Sequence, residues 1–324
     1  MTAREVFDLI QDELEQVEKK IAAESVASVD AVTAVGQYLQ SSGGKRLRPS
    51  LLLLSAKLAG DGGATAVQLG AVVELIHTAT LLHDDVIDGA ETRRGRPSTN
   101  VKWGNHTCVL AGDWLYMQAF QIALRERRFQ ILDLLIGLTQ IMVEGELLQL
   151  ERIGRIDVTE ADCMELVDRK TARLFSVCAR LGALAGHGDA PMQEKLGEYA
   201  WNLGMAFQLI DDVLDFTSSE EILGKPTGND LREGRVTLPL IYLLQRCTQD
   251  EAQKVRSVLA EGGFNPLRFS EVLELIDRYD TLRTAREKAQ EFAQKAKCAL
   301  ETFPDNPYKD ALRSLPDFML DREF

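Results

Sequence analysis

Hydrophobic residues recur at helical spacing along nearly every long segment of the chain, and this pattern restricts its fold more than any other feature. In the opening stretch they form one stripe, at Val6, Ile10, Leu14, Val17 and Ile21. No alternating run of convincing strand length interrupts the pattern. With 324 residues, 45% of them hydrophobic, the chain can bury a large core. The sequence therefore predicts an all-α protein.

Short polar or Gly/Pro-containing stretches separate the predicted helices, and the longest of these breaks are 89–104 and 218–235. Helices are expected over residues 28–41, 47–60, 64–88, 105–126, 128–152, 159–186, 190–217, 236–247, 250–260, 267–277, 279–302 and 307–321. Thr159 is expected to open one helix with a capping box, and Asn306, before a proline, to cap another. No low-complexity linker divides the chain, so we expect a single domain over residues 1–324.

The composition argues against several classes of function. A net charge of −13 disfavours general attraction to nucleic acid or anionic lipid. The five cysteines form no CxxC pair and no zinc-binding spacing, which indicates reduced thiols. The N-terminal stretch lacks the apolar core of a signal peptide, and no stretch approaches the roughly 18 to 20 apolar residues of a membrane span. We therefore expect a cytoplasmic protein without an integral membrane segment.

An acidic motif occurs twice, as DDVID at 84–88 and as DDVLD at 211–215. Each copy ends a long apolar helical run, and its first and last aspartates, four residues apart, share one helix face. A solvated acidic helix end is the ordinary interpretation of a single such motif. The helix dipole, however, disfavours carboxylates at a C-terminal end, and the sequence places them there twice. This repetition indicates bound cations.

The identity of the cation follows from the ligands that the motif offers. The motif contains only oxygen ligands, without histidine or cysteine, and this set favours Mg²⁺ or Mn²⁺ over zinc. Mg²⁺ usually takes one or two carboxylates and completes its shell with water and substrate phosphate groups. The sequence therefore predicts a magnesium ion between the aspartates and a phosphorylated substrate.

Basic and polar residues near the acidic motifs are candidates for binding that substrate. They are Lys45, Arg48, Arg93, Arg94, Lys170, Thr171 and Lys225. Each one alone is most simply a solvated side chain, but together, in an acidic protein, they suit a strongly anionic ligand. His77 lies two turns before the first motif on the same face, and Gln208 lies three residues before the second. A lone histidine on an apolar helix is usually a core residue, and its alignment with the motif makes a phosphate contact equally plausible.

These motifs, in this order, resemble those of the trans-polyprenyl diphosphate synthases. The resemblance covers nearly the whole chain, through GGKRLRP, ELIHTATLLHDDVIDGAETRRG, AGDWLY, EGELLQL, KTARLF, GMAFQLIDDVLDF and GKPTGNDLREGRVTLPL. The chain is most similar to the long-chain, octaprenyl-type branch, which makes quinone side chains. The resemblance implies an isoprenoid synthase fold, a bundle of roughly 12 to 13 helices around a deep central cavity, and a homodimer.

The resemblance also assigns roles to the candidate residues. It implies three Mg²⁺ ions per active site, with Mn²⁺ as a substitute, held by Asp84, Asp88 and Asp211 and supported by Asp85, Asp212 and Asp215. The allylic diphosphate would bind to Arg93, Lys170, Thr171, Gln208 and Lys225. Isopentenyl diphosphate would bind to Lys45, Arg48, His77 and Arg94. One residue departs from the family pattern, because Arg235 stands where a lysine is usual.

The implied reaction joins isopentenyl diphosphate to an allylic diphosphate, farnesyl or geranylgeranyl, in successive head-to-tail steps. The lipophilic product would be a long-chain all-trans polyprenyl diphosphate of about eight isoprene units. Ala79, Ile76 and Val73 precede the first acidic motif at three- to four-residue intervals and form one stripe. Short-chain members of the family carry aromatic residues near Ala79. We therefore expect this stripe to set the product length, although ordinary helix packing explains such a stripe too.

Four alternatives stay open at this stage. A shorter-chain farnesyl or geranylgeranyl diphosphate synthase would share these motifs. A class I terpene cyclase needs no second anion site, so the basic residues argue against it. A non-catalytic subunit of a heterodimeric prenyl synthase would be expected to lose acidic residues, and all six aspartates are present. The last alternative is a helical interaction protein with unrelated acidic patches.

Overall fold

The computed structural model describes residues 1–41, 43–217, 228–261 and 266–321. Its helices are α1 Ala3–Asp8, α2 Gln11–Glu24, α3 Asp30–Ser41, α4 Leu47–Ala59, α5 Gly63–Ile87, α6 Thr99–Trp103, α7 Asn105–Arg125, α8 Phe129–Arg152, α9 Glu160–Val167, α10 Arg173–Ala185, α11 Ala190–Thr217, α12 Asn229–Arg232, α13 Leu238–Arg246, α14 Gln249–Glu261, α15 Pro266–Arg278, α16 Thr281–Ala299 and α17 Pro307–Asp321. A π-helical segment, Asp168–Ala172, joins α9 to α10. Two short strands, β1 Thr92–Arg93 and β2 Arg96–Pro97, pair antiparallel between α5 and α6.

The all-α prediction is confirmed, and several helix ends lie where local signals place them. The helices predicted over 190–217 and 307–321 have those bounds. Thr159 forms the expected capping box. The side chain of Asn306 accepts backbone N–H groups at 3.0 and 2.9 Å at the start of α17. Caps satisfy N–H groups that have no partner within the helix, so they define these ends locally.

Two hydrophobic clusters form the core, and α11 contributes to both. Tyr199 and Leu203 belong to the larger cluster, which also contains buried residues of α4, α5, α7 and α10. Met205 and Leu209, further along α11, belong to the second cluster, with α13 and α16. The C-terminal helix α17 packs against α1, α4, α11 and α16. The long helix α11 therefore links the two halves of the core and carries the second acidic motif at its end.

The structure differs from the predicted helices where tertiary contacts intervene. The opening stripe is divided, because the chain turns at Leu9 and Ile10 between α1 and α2. The predicted helix over 159–186 contains the π-helical segment. The break at 89–104 contains the β1–β2 hairpin and α6. In the hairpin turn Arg94 and Gly95 both have positive φ, 54° and 72°, as a tight two-residue turn requires.

Helix α5, which carries the first acidic motif, is long and apolar enough to cross a membrane by length and composition. The expectation that no stretch has the length and apolar composition of a membrane span was therefore wrong for this helix. In the folded chain, however, 72% of the relevant window is buried inside the protein. The apolar length of α5 is explained by its position in the core, because a helix that is hydrophobic all round is a buried one.

Candidate active site

The first acidic motif lies at the C-terminal end of α5, as predicted, with Asp84 in the last turn and Asp88 as the C-cap. Asp84 is largely buried, and the loss of water raises its pKa from 3.8 to about 6. Lys170 and Arg93 oppose this shift, whereas Glu146 and Asp88 add to it. The carboxylate thus lies in a desolvated position between cationic groups from two parts of the chain.

Asp85, in contrast, turns away from this position into the protein. Its side chain is fully buried, and its Oδ1 accepts the Nε–H of Arg93 at 2.6 Å. Its Oδ2 accepts the hydroxyl of Thr99 at 2.9 Å, at the start of α6. Both oxygens of Asp85 are thus engaged within the protein, so any support that it gives to a metal ion would act through Arg93 and the hairpin. Asp85 fixes Arg93 and the hairpin against α5.

The second acidic motif lies in the last two turns of α11. Asp211 is half-buried, whereas Asp212 and Asp215 are buried. Asp212 accepts a hydrogen bond from the amide of Gln208 at 3.0 Å. Asp215 accepts the backbone N–H of Asp230 at 3.0 Å and so ties the end of α11 to α12. Of the three aspartates, Asp211 thus has the most accessible carboxylate.

The π-helical segment brings Lys170 and Thr171 to the site together. A π-helical turn holds one residue more than an α-helical turn and is often found at functional sites. Lys170 Nζ lies 2.9 Å from Gln149 Oε1 and 2.5 Å from Glu146 Oε2, both on α8. Thr171 donates its hydroxyl proton to Gln208 Oε1 at 2.9 Å, on α11. Two predicted site residues, Thr171 and Gln208, are therefore directly hydrogen-bonded.

Two glycines allow the neighbouring helices to approach this segment. A Cβ atom at Gly145 on α8 would lie 2.8 Å from the Cβ of Arg169. A Cβ atom at Gly204 on α11 would lie 2.7 Å from the Cα of Ala172. Real Cβ atoms do not pack this closely, so only glycine permits the observed spacing. The short distances between helices place Lys170 opposite α8 and Thr171 opposite α11.

A small cleft lies beside the second half of α5, and we call it the arginine cleft. It is lined by Leu39, Gln40, Arg46, Glu74, His77, Thr78, Leu81, Arg93 and Arg94. Three guanidinium groups therefore face one small space, together with one histidine and one carboxylate. Such a concentration of guanidinium groups suits the bidentate binding of phosphate oxygens.

The hairpin explains how Arg93 and Arg94 both reach this cleft. Arg93 lies on β1 and Arg94 in the turn, so their side chains leave the backbone in different directions. The guanidinium of Arg94 approaches Gly44, where an added Cβ atom would lie 3.4 Å from Nη1. The loop that carries Lys45 is therefore packed against the tip of the hairpin. Arg48 follows on α4, with its guanidinium 5.5 Å from the ring centre of Phe175.

His77, which the sequence aligns with the first acidic motif, lies in the arginine cleft. Burial lowers its pKa well below 6.5, and the neighbouring cations Arg48, Arg94 and Arg93 lower it further. The imidazole is therefore neutral at physiological pH. A neutral imidazole can donate one hydrogen bond to a phosphate oxygen without adding another positive charge to the cleft.

Arg235, the departure from the family pattern, links the first acidic motif to the region around α12. Its Nη2 lies 2.7 Å from Asp88 Oδ1 and 2.9 Å from Glu233 Oε2, and Asp230 is near. Burial alone lowers the pKa of Arg235, but these carboxylates outweigh burial and raise it. A guanidinium fork can contact two carboxylates at once, which a compact ammonium group does less well.

The donor set fits a divalent cation that is shared with substrate. Within the part of the chain that the structure describes, no three acidic, histidine or cysteine side chains form a ready metal cage. Mg²⁺ does not require one, since it binds through one or two carboxylates with water and phosphate oxygens. Asp84, desolvated and without a histidine or cysteine beside it in the motif, is a ligand of the required type.

Other predicted residues are less closely tied to the site. Lys225 lies outside the described residues. Lys45 is exposed and does not line the arginine cleft. The proposed product-length residues Ala79, Ile76 and Val73 are fully buried in the larger hydrophobic cluster.

Sequence reasoning missed four residues of the site: Arg46 and Glu74 line the arginine cleft, and Glu146 and Gln149 contact Lys170. A signal for Glu74 was present, because it lies three residues before His77 and so shares its helix face. For Glu146 and Gln149 the signal was weaker, since their partner Lys170 comes from another helix.

Comparison with known proteins decides the class of this chain. A family model described as polyprenyl synthetase matches residues 29–276. The chain belongs to the polyprenyl synthetase family. The synthase is 37% identical to octaprenyl diphosphate synthase of Escherichia coli, and the match covers all of both proteins. It is 35% identical to a short chain isoprenyl diphosphate synthase of Methanothermobacter thermautotrophicus, over 98% of this chain and 99% of that protein.

A solved structure supports the same assignment. The crystal structure of a polyprenyl synthase from Caulobacter crescentus, complexed with calcium and isoprenyl diphosphate, matches with a TM-score of 0.96. It is 36% identical and covers 100% of this chain and 98% of that one. The predicted isoprenoid synthase fold is thereby confirmed, and so is the prediction of a prenyltransferase. The synthase is an enzyme that elongates trans-prenyl chains.

Proposed function

We propose that the synthase joins isopentenyl diphosphate to an allylic diphosphate, repeatedly and with Mg²⁺, to give a long-chain polyprenyl diphosphate. One observation carries the proposal: Asp84 is desolvated and lies within electrostatic reach of both Lys170 and Arg93. A metal-binding carboxylate between two cationic groups suits a reaction that brings two diphosphates together.

Two groups of residues would bind the two substrates. Lys170, Thr171, Gln208 and Arg93 would hold the allylic diphosphate, together with Lys225. Lys45, Arg48, His77 and Arg94 would hold isopentenyl diphosphate. The hydrogen bond between Thr171 and Gln208 and the presence of His77 and Arg94 in the arginine cleft support this division, and Arg93 lines the arginine cleft as well.

Asp84, Asp88 and Asp211 would hold the metal ions. When bound, Mg²⁺ would neutralise the allylic diphosphate and so make it a better leaving group. Arg235 holds Asp88 in the absence of metal, at 2.7 Å, and would have to share that carboxylate.

The chain's own groups account for the remaining requirements of the reaction. Lys170 and Arg93 stabilise the negative charge that develops on the departing diphosphate. The arginine cleft orients isopentenyl diphosphate so that its double bond attacks the allylic carbon and forms the new carbon–carbon bond. The released diphosphate then takes a proton from the resulting cation, which restores an alkene. Apolar walls from α5 exclude water, which would otherwise quench the carbocation.

The product is proposed to be of the long-chain class, about eight isoprene units. Similarity to the octaprenyl enzyme of Escherichia coli supports this length. The small side chain of Ala79, one turn before the acidic motif on α5, would leave space for the growing chain. A shorter product is the second candidate, because the short chain enzyme of Methanothermobacter is similar over nearly its full length.

The test is product analysis with purified protein. The synthase is given isopentenyl diphosphate with farnesyl or geranylgeranyl diphosphate, and the products are dephosphorylated and separated by chain length. We expect diphosphate release that depends on Mg²⁺ or Mn²⁺ and a main product of about C40. Products that stop at C15 or C20 would favour the second candidate, and no Mg²⁺-dependent release would exclude both.

We also propose that the synthase works as a homodimer in the cytoplasm. Exposed apolar residues repeat every seven positions on two consecutive helices, at Leu110, Met117 and Leu124 on α7 and at Phe129, Ile136, Val143 and Leu150 on α8. Met117, Leu124 and Ile136 line an open apolar groove between the two helices. Such a large apolar surface calls for a partner, and a second copy is the commonest partner in symmetric assemblies.

A further inference from the structure

Glu74 is the one carboxylate among the described side chains that line the arginine cleft. It lies on α5, one turn before His77, and only 9% of its side chain is exposed. Its Oε1 accepts Arg46 Nη1 at 2.7 Å. A buried carboxylate within a site for a diphosphate is unexpected, because it repels the ligand that the arginines attract.

Glu74 influences more than its direct partner. It counteracts the effect of burial on the pKa of Arg48 and of Arg94, so both guanidinium groups lie within its electrostatic reach. Without a ligand, the clustered arginines repel one another in a poorly solvated space. A buried negative charge at Glu74 stabilises them in this state.

Arg46 connects this carboxylate to the rest of the protein. Its guanidinium contacts Glu74 on one side and Glu18 of α2 on the other, where Nη2 lies 2.9 Å from Oε2. Its backbone has a φ of 48°, a conformation that residues other than glycine rarely adopt. The two ion pairs hold this conformation at the start of α4, directly between Lys45 and the turn that presents Arg48.

We propose that Glu74 is a built-in counter-ion of the arginine cleft that stabilises the empty cleft and limits its affinity for diphosphate. The idea rests on the function proposed above, in which the cleft binds isopentenyl diphosphate. After each condensation the diphosphate of the lengthened chain occupies this cleft, while the diphosphate of the allylic partner leaves. The lengthened chain must then leave the cleft and enter the allylic site before another addition. Glu74 favours that departure.

The first measurement compares Glu74→Gln with Glu18→Gln. Both substitutions remove a carboxylate that contacts Arg46, but Glu18 does not line the cleft, and 43% of its side chain is exposed. Isopentenyl diphosphate is titrated into each protein by calorimetry, in buffer with EDTA and no Mg²⁺. We expect Glu74→Gln to bind at least about fivefold more tightly than wild type, or about 1 kcal/mol at 1.4 kcal/mol per tenfold. Glu18→Gln should stay within about twofold.

Thermal melting gives the second measurement. Without ligand, Glu74→Gln should melt at a lower temperature than Glu18→Gln. Added isopentenyl diphosphate should raise the melting temperature of Glu74→Gln more than that of wild type. Equal or weaker binding by Glu74→Gln would overturn the proposal. Equal changes in affinity and melting temperature in both variants would also overturn it, since the effect would then arise from Arg46 and not from the charge in the cleft. If wild type does not bind isopentenyl diphosphate, the proposed function itself fails, and this outcome is distinct.

Product distribution tests the part of the proposal that concerns departure. Glu74→Gln should accumulate products one or a few units longer than the primer, while the first condensation proceeds at the wild-type rate or faster at low isopentenyl diphosphate. Full-length product in wild-type proportions would contradict this part. If Glu74→Gln does not fold, the double variant Arg46→Gln/Glu74→Gln restores the charge balance of the cleft. It should fold and bind isopentenyl diphosphate within about fivefold of wild type, and a larger change would overturn the proposal.

Discussion

The neighbouring carboxylates Asp84 and Asp85 show how much the surroundings of one residue decide. Asp85 is fully buried, yet hydrogen bonds from Arg93 and Thr99 satisfy its oxygens. Asp84 is desolvated beside Glu146 and Asp88, and its pKa rises to about 6. Two identical side chains, one position apart, therefore have different chemistry, and only Asp84 is suited to gain from a bound cation.

The raised pKa of Asp84 predicts a pH dependence. Between pH 3.8 and about 6 the folded protein holds a proton on Asp84 that the unfolded chain does not. Without metal, the contribution of Asp84 to the free energy of unfolding is therefore greatest below pH 4 and is lost as pH rises through 6. The loss is up to about 3 kcal/mol, at about 1.4 kcal/mol per pKa unit. Binding of Mg²⁺ requires the carboxylate, so the half-saturating Mg²⁺ concentration should rise as pH falls below about 6.

Melting curves in EDTA and activity titrations with Mg²⁺, both across pH, measure the two effects. Asp84→Asn should remove the stability change between pH 4 and 6, should melt at or above the wild-type temperature at pH 7, and should be nearly inactive. Asp85→Asn is the matched control, because it should keep the pH profile of Mg²⁺ binding while it loosens Arg93 and lowers stability. An Asp84→Asn enzyme with near-normal activity would refute the assignment of Asp84 as a metal ligand.

A second prediction for a single residue concerns Ala79 and the length of the product. Ala79→Phe should shorten the product towards the C15 to C20 range, because a ring would block the path of the growing chain along α5. Ala79 is fully buried, so overpacking is also expected to cost about 1 to 3 kcal/mol of stability. Ala66→Phe, at another buried position near the start of α5, controls for that cost and should leave product length unchanged. Full-length product from a folded Ala79→Phe enzyme would place the path elsewhere.

At the scale of secondary-structure elements, the site depends on close contacts of the π-helical segment with α8 and α11. Gly145→Ala should push α8 away from Arg169 and so displace Gln149 from Lys170. We expect a loss of about 1 to 3 kcal/mol in stability and at least about a tenfold fall in kcat/KM for the allylic substrate, since small displacements of positioning groups are costly.

The control for this prediction lies on the same helix. A Cβ atom at Gly137 would meet nothing within 4 Å. Gly137→Ala should therefore stabilise α8 by up to about 1 kcal/mol, because alanine is the better helix former, and should leave KM unchanged. Thermal melting and steady-state kinetics of the two variants give the comparison. A Gly145→Ala enzyme with wild-type KM and stability would show that this contact does not position Lys170.

At the scale of the whole molecule, the apolar stripes on α7 and α8 predict a dimer. Light scattering after size exclusion should give twice the chain mass of 36.0 kDa. Met117→Glu should shift the protein towards the monomer, since it puts a charge on a surface that the partner would cover. Val26→Glu is the matched control, because Val26 is equally exposed, 62% against 63%, but does not belong to either stripe. A monomeric wild type, or equal effects of both variants, would contradict the assignment.

Much of the fold and part of the site could be predicted from the sequence, because those features depend on local signals. Helical periodicity determined the class, and caps such as Asn306 determined where helices begin. The apolar runs before the two acidic motifs placed Asp84 and Asp211 near helix ends. Residues four apart share a helix face, so the sequence also paired each of them with the last aspartate of its motif. These properties depend on neighbours within about one turn, which the order of residues specifies directly.

Tertiary structure alone decided which partner each of these side chains meets. The turn Arg94-Gly95 lacks the usual Asn-Gly signal, so the hairpin that separates Arg93 from Arg94 was not foreseen. The π-helical segment was not foreseen either, because its extra residue is accommodated by contacts with α8 and α11 and has no periodic signature. Glu74 faces the arginine cleft only because α4 and the hairpin pack beside α5. Burial and distant charges determine the pKa of a group and the counter-ion of a site, and both depend on residues far apart in sequence that only the folded chain brings together.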